Sequence, residues 1–169
     1  MSVLCTVTTA SAAATRAFGQ ALARLLLPGG VLALTGPLGA GKTTLAQGVM
    51  SGLGLERPAA SPTFTIINRY RLPEGVAYHI DAYRLDGPDA FWDIGGDEAT
   101  SGQVPAVVEW ADRIREAIPD DALWIEIEYV PGEEGSRRLV LSGPPERWGR
   151  GVAELARSWT EANRTVAPC

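Results

Sequence analysis

The sequence predicts an α/β fold of three layers, with helices on both faces of a mixed β-sheet. Three observations carry this. Val31–Thr35 (VLALT) is an unbroken apolar run, as a strand covered on both faces would be. β-rich runs alternate along the chain with helix-forming segments. Some of those runs are joined by tight turns such as Leu72-Pro73-Glu74-Gly75, which implies antiparallel pairs beside parallel ones. At 169 residues and 17.9 kDa, with no internal repeat and no long linker, the chain fits one compact domain.

The elements follow in order. Leu4–Thr8 reads as a short strand, and Ser11 caps an alanine-rich helix that reaches Leu27 and ends at Pro28-Gly29-Gly30. Val31–Thr35 is the central strand, Gly36–Gly41 a turn, and Lys42 to about Ser51 a helix. Ser61-Pro62-Thr63 is loop, followed by strand-like runs at Phe64–Tyr70 and Val76–Asp81. Asp86–Thr100 mixes loop and short helix. Pro105–Trp110 (PAVVEW) is a buried strand, and Asp112–Ile118 a short helix stopped by Pro119. Leu123–Tyr129 pairs with Arg138–Ser142 across the turn at Pro131–Gly135, and Pro145–Ala162 forms a C-terminal helix whose last residues fray. Residues 1–144 are expected to form the functional domain, with 145–169 packed on it or trailing it.

Composition narrows the function. The chain is 46% hydrophobic and 21% charged, which is ordinary globular composition and excludes a disordered chain. A net charge of −5 argues against a large nucleic-acid footprint, so direct tight binding of RNA is not expected. No run of about 20 apolar residues is present to cross a bilayer. The first twenty residues lack the basic and apolar regions of a signal peptide, and Cys5 and Cys169 form no metal or disulfide pattern. A cytoplasmic protein is therefore expected. His79, the only histidine, excludes multi-histidine metal sites. Charge is uneven: residues 1–80 carry +4, residues 81–134 carry −12 and residues 135–169 carry +3. The acidic middle fits a cation-handling region or simple solubility.

The chemistry concentrates at Gly36-Pro37-Leu38-Gly39-Ala40-Gly41-Lys42-Thr43, a full match to G-x-x-x-x-G-K-[ST]. Glycines let successive N–H groups curl around a phosphate, and the helix starting near Lys42 adds its positive end. The nucleotide contacts expected from this loop are Gly36, Leu38, Gly39, Ala40, Gly41, Lys42, Thr43 and Thr44. Lys42 reaches the β- and γ-phosphates, and the Thr43 hydroxyl ligates Mg²⁺. Lys42 is the only lysine beside 14 arginines, so a chance glycine turn is a poor account of it. The same count excludes the N-K-x-D guanine reader, which leaves ATP as the expected nucleotide. The fold class sharpens to a single three-layer P-loop NTPase domain with a mixed β-sheet.

Such an enzyme needs carboxylates near the metal and a group that orients water. Asp81 and Glu109 end predicted strands, where open α/β sheets place their ligands. Either residue alone also reads as a helix cap or surface acid. Thr63 lies where a phosphate-sensing threonine is expected, although Ser61-Pro62-Thr63 also reads as an ordinary proline turn. His79 is either a satisfied core histidine or a group that orients Asp81. The catalytic candidates are thus Lys42, Asp81, Glu109 and Thr63, and the metal candidates Thr43, Glu109 and Asp81.

With these pieces placed, the sequence resembles the TsaE (YjeE) family of bacterial P-loop ATPases. The resemblance rests on LTGPLGAGKTTLAQG at 34–48, SPTF at 61–64, HIDAYRL at 79–85 and VVEWADR at 107–113, and covers roughly residues 4–142. It implies a weak ATPase of tRNA threonylcarbamoyladenosine biosynthesis that acts on TsaD and TsaB and meets tRNA only through them. By the same resemblance Thr43 and Glu109 ligate Mg²⁺ and Asp81 lies at the nucleotide–metal site, with the direct metal carboxylate undecided. Trp110 lines the nucleotide pocket or is a core aromatic. A small-molecule kinase and a non-hydrolysing, ATP-switched binding module are the rival readings.

Overall fold

The computed structural model describes residues 1–57, 59, 60, 62 and 65–164. Strand β1 (Ser2–Thr9) leads into helix α1 (Ala12–Leu22), and the Ser11 hydroxyl accepts a hydrogen bond from the Ala14 N–H as the expected cap. The last expected turns of α1 instead tighten into a 3₁₀ segment, Ala23–Leu26. Strand β2 (Gly30–Thr35) feeds the glycine loop and helix α2 (Lys42–Gly52). Strands β3 (Ile67–Leu72) and β4 (Gly75–Asp81) form the expected hairpin, with Leu72 opposite Gly75. Short helices α3 (Pro88–Asp93) and α4 (Gly96–Ala99) precede β5 (Pro105–Glu109). A kinked 3₁₀ segment at Ala111–Ala117 leads to β6 (Leu123–Tyr129) and β7 (Arg137–Gly143). A π turn at Pro145–Gly149 opens into helix α5 (Arg150–Arg164).

Three of the sequence expectations shift. The strand expected over 64–70 begins at Ile67, because Ile66 takes a left-handed conformation (φ 64°), and Phe64 lies outside the described residues. The helix expected at Asp112–Ile118 is 3₁₀ and bends at Ile114, whose φ of −126° is not helical. The C-terminal α-helix starts only at Arg150, after the π turn.

Among the described residues, seven strands run in the order β1-β7-β6-β2-β5-β4-β3. β2 lies between β6 and β5, parallel to both, and β4 is parallel to β5, while β1, β7 and β3 join antiparallel. This is the mixed sheet that the sequence predicts. Leu32 and Leu34 pack with α1 and α2 on one face, and Val31 and Ala33 pack with Phe91 and Ile114 on the other. Both faces of β2 are therefore covered, which is why its sequence shows no alternation. Phe18 of α1 meets Trp159 of α5 edge-on at 5.1 Å, which joins the last helix to the same core. α1 and α2 touch through glycine: a Cβ on Gly48 would stand 2.2 Å from the Arg16 carbonyl oxygen. That close approach anchors α2, and with it the glycine loop at its N-terminus.

Candidate nucleotide and metal site

The order β2-β5-β4 brings three strand ends side by side. β2 ends in the glycine loop, β5 ends at Glu109 and β4 ends at Asp81, which stands opposite Glu109 in the parallel register. The site thus forms at the C-terminal edge of the parallel strands, the usual ligand crevice of an open α/β sheet. Gly36, Gly39 and Gly41 take φ values of 135°, 77° and 107°, which curl the backbone between β2 and α2. Gly36 has a second constraint, since a Cβ there would lie 2.3 Å from the Ile127 carbonyl oxygen.

Lys42 folds back over the loop. Its Nζ donates to the Gly36 and Pro37 carbonyls at 2.7 and 2.9 Å, and lies 3.7 Å from the centre of the Trp110 ring. The residue is buried rather than standing at an exposed loop–helix junction. The reason lies in Trp110, whose left-handed backbone (φ 57°) turns the indole over the ammonium. Burial pushes the Lys42 pKa below the usual lysine value, while Glu109, Asp112 and Asp81 pull it back up.

Thr43 and Glu109 are joined directly: the Thr43 hydroxyl donates to Glu109 Oε2 at 2.7 Å. Glu109 Oε1 lies 2.7 Å from His79 Nε2, and both residues are buried. His79 therefore pairs with Glu109 and not with Asp81, the partner expected from its own strand. Asp81 Oδ1 instead accepts from the Tyr83 backbone N–H at 3.0 Å.

These groups line an open pocket of about 380 Å³. Leu38, Gly39, Gly41, Lys42, Thr43 and Thr44 form one wall, and Asp81, Tyr83, Glu109 and Trp110 the other. Gly36 and Ala40 are not among the lining residues; their carbonyls accept from Lys42 and Arg137 respectively. Thr63, with Ser61 and Phe64, lies outside the described residues. Among the described residues no group of three or more His, Cys, Asp and Glu side chains forms a metal cage. The oxygen set of Thr43, Glu109 and Asp81 instead fits Mg²⁺, which takes one or two carboxylates and completes its shell with phosphate and water.

Sequence reasoning missed the loop's outer support. The Tyr129 hydroxyl donates to the Leu38 carbonyl at 2.7 Å, and Arg137 Nε donates to the Ala40 carbonyl at 2.9 Å. The Arg137 guanidinium also stacks on the Tyr129 ring at 4.6 Å. The pairing of these two strands was legible, but nothing in either strand's sequence points at the loop.

Comparison with known families turns this geometry into a relationship. The family model described as "Threonylcarbamoyl adenosine biosynthesis protein TsaE" matches residues 9–139, which include the loop, Asp81, Glu109 and Arg137. The chain belongs to the TsaE family. A Bacillus subtilis protein named tRNA threonylcarbamoyladenosine biosynthesis protein TsaE is 41% identical over 145 residues, covering 85% of this chain and 88% of that one. A Streptomyces coelicolor protein of the same name is 39% identical over 138 residues, covering 79% and 93%. A crystal structure of Bacillus subtilis YdiB superposes with a TM-score of 0.76 at 34% identity, over 94% of this chain and 97% of that one. The whole of α5 lies beyond the TsaE family match.

Proposed function

We propose that this TsaE family member is a Mg²⁺-dependent ATPase of tRNA threonylcarbamoyladenosine biosynthesis. It acts in the cytoplasm on a TsaB–TsaD pair, allows that pair to turn over repeatedly, and reaches tRNA only through it. The observation that carries the reading is the hydrogen bond from Thr43 to Glu109 beside the glycine loop. It sets a hydroxyl and a carboxylate together where the metal of a loop-bound nucleoside triphosphate is held. Family membership supports the biosynthetic role. Among the described residues no helix is long and apolar enough to cross a membrane.

The chain's own groups divide the work. Loop N–H groups and the N-terminal end of α2 bind the phosphates. Two N–H bonds of Lys42 are held by loop carbonyls, which leaves the third for a phosphate oxygen. Thr43 and Glu109 would hold Mg²⁺, which when bound neutralises charge on the β- and γ-phosphates. Both Glu109 oxygens are already engaged, whereas Asp81 engages one oxygen with a backbone N–H. Asp81 is therefore assigned to orient the attacking water. Water adds to the γ-phosphorus, the bond to the bridging oxygen breaks, and ADP and phosphate leave.

Release of inorganic phosphate from ATP, with and without the TsaB–TsaD pair, tests the reading. Slow release that the pair accelerates supports it. A phosphorylated metabolite in place of free phosphate, or no turnover in either setting, contradicts it.

A further inference from the structure

We infer that His79 is a positioning residue, one that fixes the Glu109 carboxylate through a proton on Nε2 and so prepares the Thr43–Glu109 pair for the metal. The inference rests on the proposed nucleotide–metal site and assigns that site a residue which touches neither substrate nor metal.

The geometry is a three-residue chain. His79 Nε2 lies 2.7 Å from Glu109 Oε1, and the other Glu109 oxygen accepts from Thr43 at 2.7 Å. An ionised carboxylate only accepts hydrogen bonds, so Nε2 must be the donor. The second ring nitrogen fixes the tautomer independently. His79 is fully buried, and among the described residues its Nδ1 has no hydrogen-bond partner. A proton on Nδ1 would be an orphaned donor, which costs more than an orphaned acceptor. The Nε2–H form is the one that fits the pocket.

The fold makes the contact rigid. His79 sits inside β4 opposite Val107 of β5, two residues before Glu109, so the contact runs diagonally across two parallel strands. Free rotation of Glu109 about its side-chain bonds would otherwise let the carboxylate leave Thr43. An outer partner of this kind typically changes metal affinity by about 10–100-fold when removed.

The single histidine makes the tautomer directly readable. In ¹⁵N-labelled full-length protein, one imidazole pattern should appear, with a proton on Nε2. A spectrum with Nε2 bare would overturn the inference, and no variant needs to fold for that result. Two substitutions extend the test, each assayed by calorimetric binding of ADP with Mg²⁺ and with EDTA. His79→Leu should leave metal-free ADP affinity within about twofold and raise the Mg²⁺ requirement about tenfold. His79→Gln should restore most of it, because its amide N–H can also donate to Glu109. An unchanged Mg²⁺ requirement in His79→Leu, or an equal loss of metal-free binding, would contradict a positioning role. Absence of any Mg²⁺-dependent binding in the parent protein would instead contradict the nucleotide–metal site itself.

Discussion

Thr43 and Glu109, 66 residues apart in sequence, are joined by a 2.7 Å hydrogen bond between the first turn of α2 and the end of β5. The bond depends on sheet order, because β5 is the parallel neighbour of β2, the strand that carries the glycine loop. In an isolated α2 or β5 neither residue has this partner. The close glycine contacts between α1 and α2 fix the helix that carries Thr43.

Glu109→Ala and Asp81→Ala should each lower ATP hydrolysis by about 10²–10³-fold, the usual cost of losing a charge-stabilising or water-orienting group. ATP binding should survive, or tighten, as repulsion between carboxylate and phosphate is relieved. Phosphate release beside equilibrium nucleotide titration separates the two effects. Parental hydrolysis in either variant would deny that residue a part in the reaction.

Lys42→Ala should abolish hydrolysis while the chain stays folded. Its burial means the substitution also removes the contact with Trp110, worth about 1 kcal/mol. The same change removes the desolvation cost of a buried ammonium, so the melting temperature should move by only a few degrees. Thermal melting beside phosphate release checks both expectations. Retained hydrolysis would contradict the role given to the loop.

How much of this was legible follows from what each signal depends on. The glycine loop, Lys42, Thr43 and the acids Asp81 and Glu109 were legible because each is fixed by local sequence, as a contiguous motif or a strand end. The partner of His79 was not. Its own strand offers Asp81, two residues on, whereas register across β4 and β5 offers Glu109. The burial of Lys42 was hidden for a similar reason, since it depends on the left-handed backbone of Trp110, an uncommon state for a bulky residue. Tyr129 and Arg137 gave no signal, because their targets are backbone carbonyls that no sequence pattern marks. The alternation of Leu123–Tyr129 was enough for the strand and silent about the loop.

Arg137→Ala should weaken ATP binding by about tenfold and leave the turnover of bound ATP nearly unchanged. The guanidinium holds loop carbonyls and does not line the pocket formed by Lys42, Thr43 and Glu109. Arg137→Lys should recover little, since an ammonium lacks the planar fork and the stacking surface over Tyr129. Nucleotide titration and single-turnover hydrolysis distinguish binding from chemistry. An equal fall in both would give Arg137 a direct part in the reaction.

The isolated protein should bind tRNA weakly at near-physiological salt. The net charge is −5, and the acidic stretch 81–134 contains both Asp81 and Glu109 at the pocket. Gel-shift titration of unmodified tRNA checks this. Submicromolar, salt-sensitive binding without partners would mean that the protein engages RNA directly.

The most direct measurement is the number of threonylcarbamoyladenosines formed per TsaB–TsaD pair, with this protein and ATP supplied in excess. Many modifications per pair with the parent protein, and far fewer with Lys42→Ala, is the expected result, since the lysine is the loop's phosphate-binding side chain. Repeated turnover with Lys42→Ala, or with a non-hydrolysable ATP analogue, would contradict a hydrolytic role for this loop.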